Sequence, residues 1–394
     1  MSFISRRKFL LLGTSSLACS GFALAWPFKD KDISKTGPSD IKGHIFKSDA
    51  PKTLWKWSHE GLMYKKLDNN RVVCGICPNR CVLSPGDRSI CRSKINYNGK
   101  LYSLTYGNPC SVNVDPIEKK PLYHFLPQSL AFSIAATGCN FRCLNCQNWE
   151  ISQVKPHEVR HYELFPDDVV KKAKEYKCKS IAYTYSEATT YYEYMFDTAK
   201  IAKENKIYNL WISNGYINKE PLLKLCKVID AANVNLKSFD DSIYKKLNGG
   251  RLEPVLNTFK IMHENNVHFE MTHLVVPNYV DDLDMFKKMC NWILENLGQN
   301  YPLHLSRFFP HYKLDRLPPT PISTLIKFKD TAIKAGIHYV YIGNVAGSEA
   351  ANTYCHNCKK LLIQRSGYRI LLFDIVENRC KYCKSIIPGH WKVS

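Results

Sequence analysis

The sequence lacks the features that mark three common classes of protein. No long basic run is interleaved with aromatic residues, so nucleic acid is not expected as a partner even though the net charge is +20. Beyond the N-terminus, no apolar run is long enough to span a bilayer. Residues are 45% hydrophobic and 12% aromatic, which excludes a disordered chain. Lys and Arg are spread along the chain and interleaved with Asp and Glu. We therefore interpret the excess of positive charge as solvated surface residues.

Length and cysteine usage indicate a metal-binding globular protein. A chain of 394 residues can bury one large core and one or two small appendages. Most of the 16 cysteines stand in or near C-x2-C or C-x3-C settings. In a chain of this length, such spacing favours metal ligation over a disulfide framework.

The N-terminus predicts an export signal that is separate from the fold. The segment Ser5-Arg6-Arg7-Lys8 matches a twin-arginine signal, and a weakly apolar stretch and a cleavage-like Ala-Leu-Ala at 23–25 follow it. We therefore expect export as a folded protein to the periplasm. The alternatives are a cytoplasmic location and a membrane tether, through an uncleaved signal or a lipid on Cys19.

The rest of the chain predicts an α/β fold with two small metal-binding modules. Apolar β-rich runs alternate with amphipathic helical stretches, which is typical of a parallel sheet and here of a partial (β/α)6 TIM-like barrel. Reactive groups should lie at the carboxyl ends of its strands. The predicted segments are a signal at 1–25, a linker at 26–60, a Cys-rich N-terminal module at 61–125, a core at 126–345 and a rubredoxin-like zinc ribbon at 346–394.

Local patterns give the bounds of the core elements. After the apolar stretch 130–136, strands are predicted at 180–185, 208–213, 234–237, 267–276, 303–308 and 338–342. Helices are predicted at 166–176, 190–203, 254–265, 281–297 and 322–335.

The most informative motif is the C-x3-C-x2-C run of Cys139, Cys143 and Cys146, directly after the first apolar stretch. Three thiolates on one loop can each hold one iron of a [4Fe–4S] cluster, which leaves the fourth iron open to a substrate. Structural zinc is the alternative, but zinc normally takes four ligands from two separated pairs. The spacing therefore favours a cluster that performs chemistry.

A series of motifs along the chain resembles one family, the AmmeMemoRadiSam system radical S-adenosylmethionine (SAM) enzymes, which are related to pyruvate formate-lyase activating enzymes. The resemblance implies a [4Fe–4S] cluster on the three cysteines and SAM, cleaved reductively to a 5′-deoxyadenosyl radical that abstracts hydrogen. By analogy, the substrate is a protein glycine or another peptide position. An external reductant and partners of the AMMECR and Memo types are also implied. The motifs lie at 74–81, 138–148, 183–187, 236–240 and 352–358.

Three residues at predicted strand ends are candidates for binding SAM. Glu187 stands where radical SAM enzymes carry a Gly-Gly-Glu-Pro-like element for the SAM amino group, although Ser186 and Ala188 replace the usual Asn and Pro. A carboxylate suits an ammonium partner, but Glu187 as an ordinary helix cap is the alternative. Ser213 and Asn214 follow the next strand, within reach of the SAM ribose or carboxylate.

Another strand carries polar residues on one face. His304 and Ser306 alternate along it, next to Arg307, and are predicted to line the substrate cavity with His273 as a neighbour. A structural histidine is the alternative.

Three isolated cysteines of the core stand outside any metal-ligand spacing. We interpret them as packing residues, although a thiol could in principle relay a radical. They are Cys178, Cys226 and Cys290.

Two further sets of cysteines have metal-ligand spacing. The pairs Cys355-x2-Cys358 and Cys380-x2-Cys383 predict a zinc ribbon, with a rubredoxin-type iron or a second cluster as alternatives. One metal ion would supply folding energy that so small a core cannot.

The N-terminal set leaves the metal open. Cys74, Cys77, Cys81 and Cys91 fit either zinc or an auxiliary iron–sulfur cluster. The rival to an enzyme is an exported, non-catalytic metal-binding scaffold that contains zinc alone.

Overall fold

The computed structural model describes residues 33–34 and 54–392. The predicted export signal, Cys19 and most of the predicted linker lie outside the described residues. In chain order the strands are β1 Ile33–Ser34, β2 His59–Glu60, β3 Tyr64–Lys66, β4 Val72–Cys74, β5 Val82–Leu83, β6 Lys94–Tyr97, β7 Lys100–Ser103, β8 Ser111–Pro116, β9 Leu130–Ala135, β10 His161–Tyr162, β11 Ser180–Tyr183, β12 Tyr208–Ser213, β13 Ala231–Asn235, β14 His268–Val275, β15 Leu303–Arg307, β16 Val340–Gly343, β17 Thr353–Tyr354, β18 Leu361–Ser366, β19 Arg369–Phe373, β20 Ile375–Val376 and β21 Arg379–Cys380.

The helices alternate with the strands of the core, as predicted. They are α1 Trp149–Ser152, α2 Pro166–Glu175, α3 Tyr192–Glu204, α4 Lys219–Leu225, α5 Asp241–Ile243, α6 Leu252–Glu264, α7 Leu283–Asn296 and α8 Ile322–Ala335. In the described part of the chain, none of them is long and apolar enough to cross a bilayer.

The centre of the molecule is an eight-stranded sheet in the order β16-β15-β14-β13-β12-β11-β9-β8. Neighbours from β9 to β16 pair in parallel, and β8 adds an antiparallel edge to β9. Helices connect the parallel strands, so the α/β prediction is confirmed. Because the parallel strands share one direction, their carboxyl ends meet at a single edge of the sheet.

The two faces of this sheet bury different side chains, because successive residues of a strand point to opposite sides. Large apolar residues on one face pack under the helices; they include Phe132, Ile181, Trp211, Phe269 and Leu305. Small residues on the other face leave room for the segment 117–126, whose Leu122 and Phe125 pack there. Those small residues include Ala131, Ala182 and Ala231.

The described fold begins before the predicted end of the linker. Trp55 and Trp57, inside the predicted 26–60 linker, are fully buried. Their ring centroids lie 4.8 Å apart, and both rings meet His161 edge to face. The polar composition that indicated a linker ends near residue 51, and the two indoles after it contribute to the core.

Most predicted elements of the core are present with shifted ends. The predicted strand 234–237 is β13, which starts earlier at Ala231, and the predicted strand 338–342 is β16, which starts later at Val340. Helix α4 was not predicted, because its seven residues span only two turns and show too little of the helical spacing of apolar residues.

Two small modules flank the core. The N-terminal module consists of two three-stranded antiparallel sheets, β2-β7-β6 and β3-β4-β5. The C-terminal module consists of the sheet β17-β18-β19 and the hairpin β20-β21. It packs on Tyr339 and Tyr341, beside and within β16, through Leu362, Ile363 and Trp391.

Candidate functional site

A cavity of about 520 Å³ lies at the carboxyl edge of the sheet. Its walls come from the segments that follow β9, β11, β12 and β13 and from the carboxyl ends of β14 and β15. The structure therefore brings polar side chains together at the edge where the fold class predicted reactive groups.

The three cysteines of the C-x3-C-x2-C loop line this cavity. The loop leaves β9 through Gly138, whose φ of +109° and close approach to Ser93 exclude a side chain. Burial raises the pKa of Cys146 to about 11 and raises the pKa of Cys139 well above its usual value. Buried thiols of this kind carry negative charge only when a positive group, such as a metal, compensates it.

Hydrogen-bond donors are directed at two of these sulfurs. The backbone N–H of Phe141 donates to Sγ of Cys139 at 3.3 Å, and Nδ2 of Asn248 donates to Sγ of Cys143 at 3.2 Å. Nδ2 of Asn214 lies 3.9 Å from Sγ of Cys139. Donors around cysteine sulfurs are typical of iron–sulfur sites, so the residues fit a [4Fe–4S] cluster.

Glu187, Ser213 and Asn214 meet beside these cysteines. The buried Glu187 carboxylate accepts hydrogen bonds from Oγ of Ser213 at 2.7 Å, from the N–H of Asn214 at 2.8 Å and from the N–H of Thr189 at 3.0 Å. The last bond caps the short helical turn 188–191, so Glu187 does act as a helix cap. The same side chain also lines the cavity. Binding of SAM by these three residues stays a prediction.

Sequence reasoning missed a charged cluster around Asp115, whose three partners Lys119, Lys120 and Tyr185 line the cavity. Asp115, on the edge strand β8, accepts hydrogen bonds from Nζ of Lys119 at 2.8 Å, from Nζ of Lys120 at 2.6 Å and from the hydroxyl of Tyr185. Burial lowers the pKa of Lys120 to about 8. Burial opposes ionisation of Asp115, but the two ammonium groups and the hydroxyl lower the pKa of its carboxyl. The two lysines follow Asp115 by four and five residues, but Tyr185 is 70 residues away and joins the cluster because β8 and β11 both pair with β9.

The polar strand β15 contributes one residue to the cavity. Ser306 lines it, whereas His304, on the same face, lies deeper with Nε2 2.6 Å from Oε2 of Glu270. Arg307 donates to the carbonyl of Thr320 at 2.8 Å.

The prediction that His273 neighbours the cavity is wrong. Its side chain lies on the helix-facing side of β14 and packs against Phe286 and Phe328. Its Nδ1 lies 2.8 Å from the carbonyl oxygen of Leu236. Thr272, one residue earlier, takes the cavity side instead, because the side chains of a strand alternate.

The three cysteines interpreted as packing residues do pack in the core. Cys178 and Cys290 are buried among helix-facing side chains, and Cys226 is half-buried against the same cluster. Within the described residues, every cysteine has a free thiol.

The C-terminal cysteines form a closed four-sulfur site. The Sγ atoms of Cys355 and Cys383 lie 3.6 Å apart, and those of Cys358 and Cys380 lie 3.7 Å apart. All four sulfurs lie within 4.8 Å of one another. A tetrahedral zinc ion with bonds of about 2.3 Å requires sulfurs roughly 3.8 Å apart. The four-thiol geometry is confirmed, and zinc as its metal stays a prediction.

The four N-terminal cysteines line a second, smaller cavity. Cys74, Cys77, Cys81 and Cys91 all contribute to its wall. Asn140, from the cysteine loop of the main cavity, lines it as well.

Comparison with known proteins shows what this chain is similar to. The model of the Radical SAM superfamily matches residues 133–293. The protein MJ0808 of Methanocaldococcus jannaschii is 48% identical over 326 residues, which cover 82% of this chain and 97% of that protein. Pyruvate formate-lyase 1-activating enzyme of Escherichia coli is 23% identical, over 49% of this chain and 84% of that enzyme. The structure of Streptococcus suis SuiB bound to S-adenosylmethionine aligns with a TM-score of 0.45 at 13% identity, over 59% of this chain and 53% of that one.

Proposed function

This chain belongs to the radical SAM superfamily, and from that premise we propose that it is an enzyme that cleaves SAM reductively on Cys139, Cys143 and Cys146. One observation carries the proposal: these three thiols share a cavity at the carboxyl edge of the sheet with the buried carboxylate of Glu187. A [4Fe–4S] cluster with one open iron supplies, when bound, the electron that breaks the sulfonium bond and yields a 5′-deoxyadenosyl radical. We further propose that the sheet curves into a partial barrel around this cavity.

The side chains around the cysteines would bind and orient SAM. Glu187 holds the N–H of Asn214 and the hydroxyl of Ser213, which fixes the ends of β11 and β12 relative to each other. The same carboxylate can accept a hydrogen bond from the SAM ammonium. Asn214 would then face both SAM and the sulfur of Cys139.

A protein glycine or another peptide position is the substrate class we propose for hydrogen abstraction. The similarity to pyruvate formate-lyase activating enzymes supports it. The radical would form in a cavity that Lys120 and Ser306 also line, and the substrate would have to reach this cavity.

Separate observations support each of the finer assignments. The series of motifs from 74–81 to 352–358 supports membership of the AmmeMemoRadiSam system, with AMMECR- and Memo-type partners and an external reductant. The signal at 5–10 and 23–25 supports export. The sulfur spacing in the C-terminal module supports zinc there.

Electron paramagnetic resonance (EPR) of anaerobically reconstituted protein tests the proposal. The dithionite-reduced protein should show a [4Fe–4S] signal that changes when SAM is added, because SAM binds the open iron. Cys143→Ser should abolish the SAM-dependent change, and Cys226→Ser, which alters a packing thiol, should keep it. Protein that is colourless and contains only zinc would instead be the non-catalytic scaffold.

A further inference from the structure

We propose that Cys74, Cys77, Cys81 and Cys91 bind a second [4Fe–4S] cluster rather than a zinc ion. The inference does not depend on the proposed function, because it concerns only these four thiols and the space between them. All four side chains line one small internal cavity.

Two loops of the N-terminal module bring the thiols together. Cys74 ends β4, and its N–H donates to the carbonyl of Cys81 at 3.0 Å, which closes the loop that carries Cys77. Cys91 comes from the loop before β6, where its sulfur lies 3.0 Å from Oγ of Ser89. The site is therefore built from a β4–β5 loop with three thiols and a separate loop with the fourth.

The separation of the sulfurs distinguishes a cluster from a single ion. In the C-terminal module, four sulfurs lie within 4.8 Å of one another, as one tetrahedral ion requires. Among the described residues, the four N-terminal sulfurs form no such group. They line a common cavity of about 20 Å³ instead. A four-iron cube binds each thiolate on a different iron and so holds its ligands farther apart than one ion does.

The wall of this cavity provides the polar groups that stabilise a cluster. Ser89 lines the cavity, and its Oγ lies 3.0 Å from the sulfur of Cys91. Lys94 lines the cavity and is almost fully buried, with Nζ 2.5 Å from Oε2 of Glu193. The Ser89 hydroxyl can donate a hydrogen bond to a ligand sulfur of a cluster, while the Lys94 ammonium is held beside the cavity by Glu193.

The second site shares a wall with the first. Asn140 lines the N-terminal cavity, and its Oδ1 accepts a hydrogen bond of 2.8 Å from Nδ2 of Asn214. That same Nδ2 lies 3.9 Å from the sulfur of Cys139. Two side chains therefore join the four-thiol cavity to the three-cysteine loop.

Metal analysis of a variant without the first site tests this inference. Full-length protein with Cys139→Ala, Cys143→Ala and Cys146→Ala is reconstituted with iron and sulfide without air, and iron, zinc and acid-labile sulfide are counted. We expect about four irons and about four sulfides per chain, with the Mössbauer spectrum of a [4Fe–4S] cluster. The C-terminal site does not interfere, because a single ion contributes no sulfide.

Two further substitutions, each added to this triple variant, test whether the N-terminal thiols bind the cluster. Adding Cys77→Ala should remove all the sulfide, whereas adding Cys226→Ala should remove none. The triple variant decides the question even if Cys77→Ala fails to fold, because it retains all four N-terminal thiols. A second zinc per chain without sulfide, a two-iron cluster or an unmetallated N-terminal site in the triple variant would overturn the proposal.

Discussion

The backbone N–H of Asn214 donates a hydrogen bond of 2.8 Å to Oε2 of Glu187, and this bond ties the carboxyl end of β12 to that of β11. Both residues line the main cavity next to Cys139. A single carboxylate thus orders two loops at the edge of the sheet where SAM is proposed to bind.

Replacing this carboxylate should weaken SAM binding. Glu187→Gln removes the charge that would face the SAM ammonium and puts an NH2 group among three donors. Because a hydrogen bond to a charged group is worth about 1.5–3 kcal/mol, we expect Kd for SAM to rise roughly 10- to 100-fold. Equilibrium dialysis of reconstituted protein measures it. The exposed Glu150→Gln on α1 is the control, and an unchanged Kd for Glu187→Gln would contradict the assignment.

Removing one partner of the buried ion pair Lys94–Glu193 should destabilise the N-terminal module strongly. Both side chains are at most 1% exposed, so Lys94→Met leaves a buried, uncompensated carboxylate. We expect a loss of about 3–5 kcal/mol in the free energy of unfolding, measured by urea titration. Adding Glu193→Gln should recover part of the loss. Lys245→Met, in the exposed pair with Asp241, should cost less than about 1 kcal/mol, and an equal loss in both would refute the argument.

Breaking the C-terminal four-sulfur site should unfold that module without unfolding the core. Cys380→Ser removes a buried ligand, and with three thiols left the ion should be lost. We expect zinc to fall from about one ion per chain to none, and proteolysis to cut within β18 and β19. Metal analysis and mass spectrometry of the fragments measure both. Cys110→Ser, outside all three cysteine sets, is the control; a Cys380→Ser protein that keeps its zinc would exclude the site.

Two buried histidines should make stability fall in mild acid. Burial lowers the pKa of His273 to about 4 and the pKa of His124 to about 3, so both stay neutral in the folded protein. The unfolded chain binds protons below about pH 6.5, and stability should therefore fall as the pH drops from about 6.5 towards 4. Each histidine contributes up to about 1.4 kcal/mol per pH unit.

A histidine variant isolates this effect from other titrating groups. His273→Phe should flatten the dependence of unfolding free energy on pH between about 7 and 5 by up to about 1.4 kcal/mol per pH unit, measured by urea titration. His263→Gln, at an exposed position, is the control with which the slope of His273→Phe is compared. Equal slopes in wild type and His273→Phe would show that the buried imidazole does not titrate as described.

The sequence predicted the grouping of the cysteines better than it predicted the cavity wall. Cysteine ligands stand close together in the chain, so spacing alone located Cys355, Cys358 and the other thiols of each set. Glu187 followed from the resemblance to the Gly-Gly-Glu-Pro-like element that radical SAM enzymes carry at the end of a strand. Asp115 escaped notice because its partner Tyr185 is 70 residues away and meets it only through the pairing of β8.

The errors arose where a side-chain direction or a boundary depends on tertiary packing. A histidine is a common residue in a polar cavity, but the register of β14 places the side chain of His273 on the face that packs against the helices. Trp55 and Trp57 follow a polar stretch, and their burial depends on His161, roughly a hundred residues later. Neither the packing of His273 nor that of the two tryptophans can be inferred from the sequence immediately around them.

The most direct test of the account is release of 5′-deoxyadenosine. Protein reconstituted with iron and sulfide without air is incubated with dithionite and SAM, and the products are separated by chromatography. The account predicts 5′-deoxyadenosine from the wild type and none from Cys143→Ser. A wild-type protein that binds a [4Fe–4S] cluster on Cys139, Cys143 and Cys146 but leaves SAM intact would contradict it.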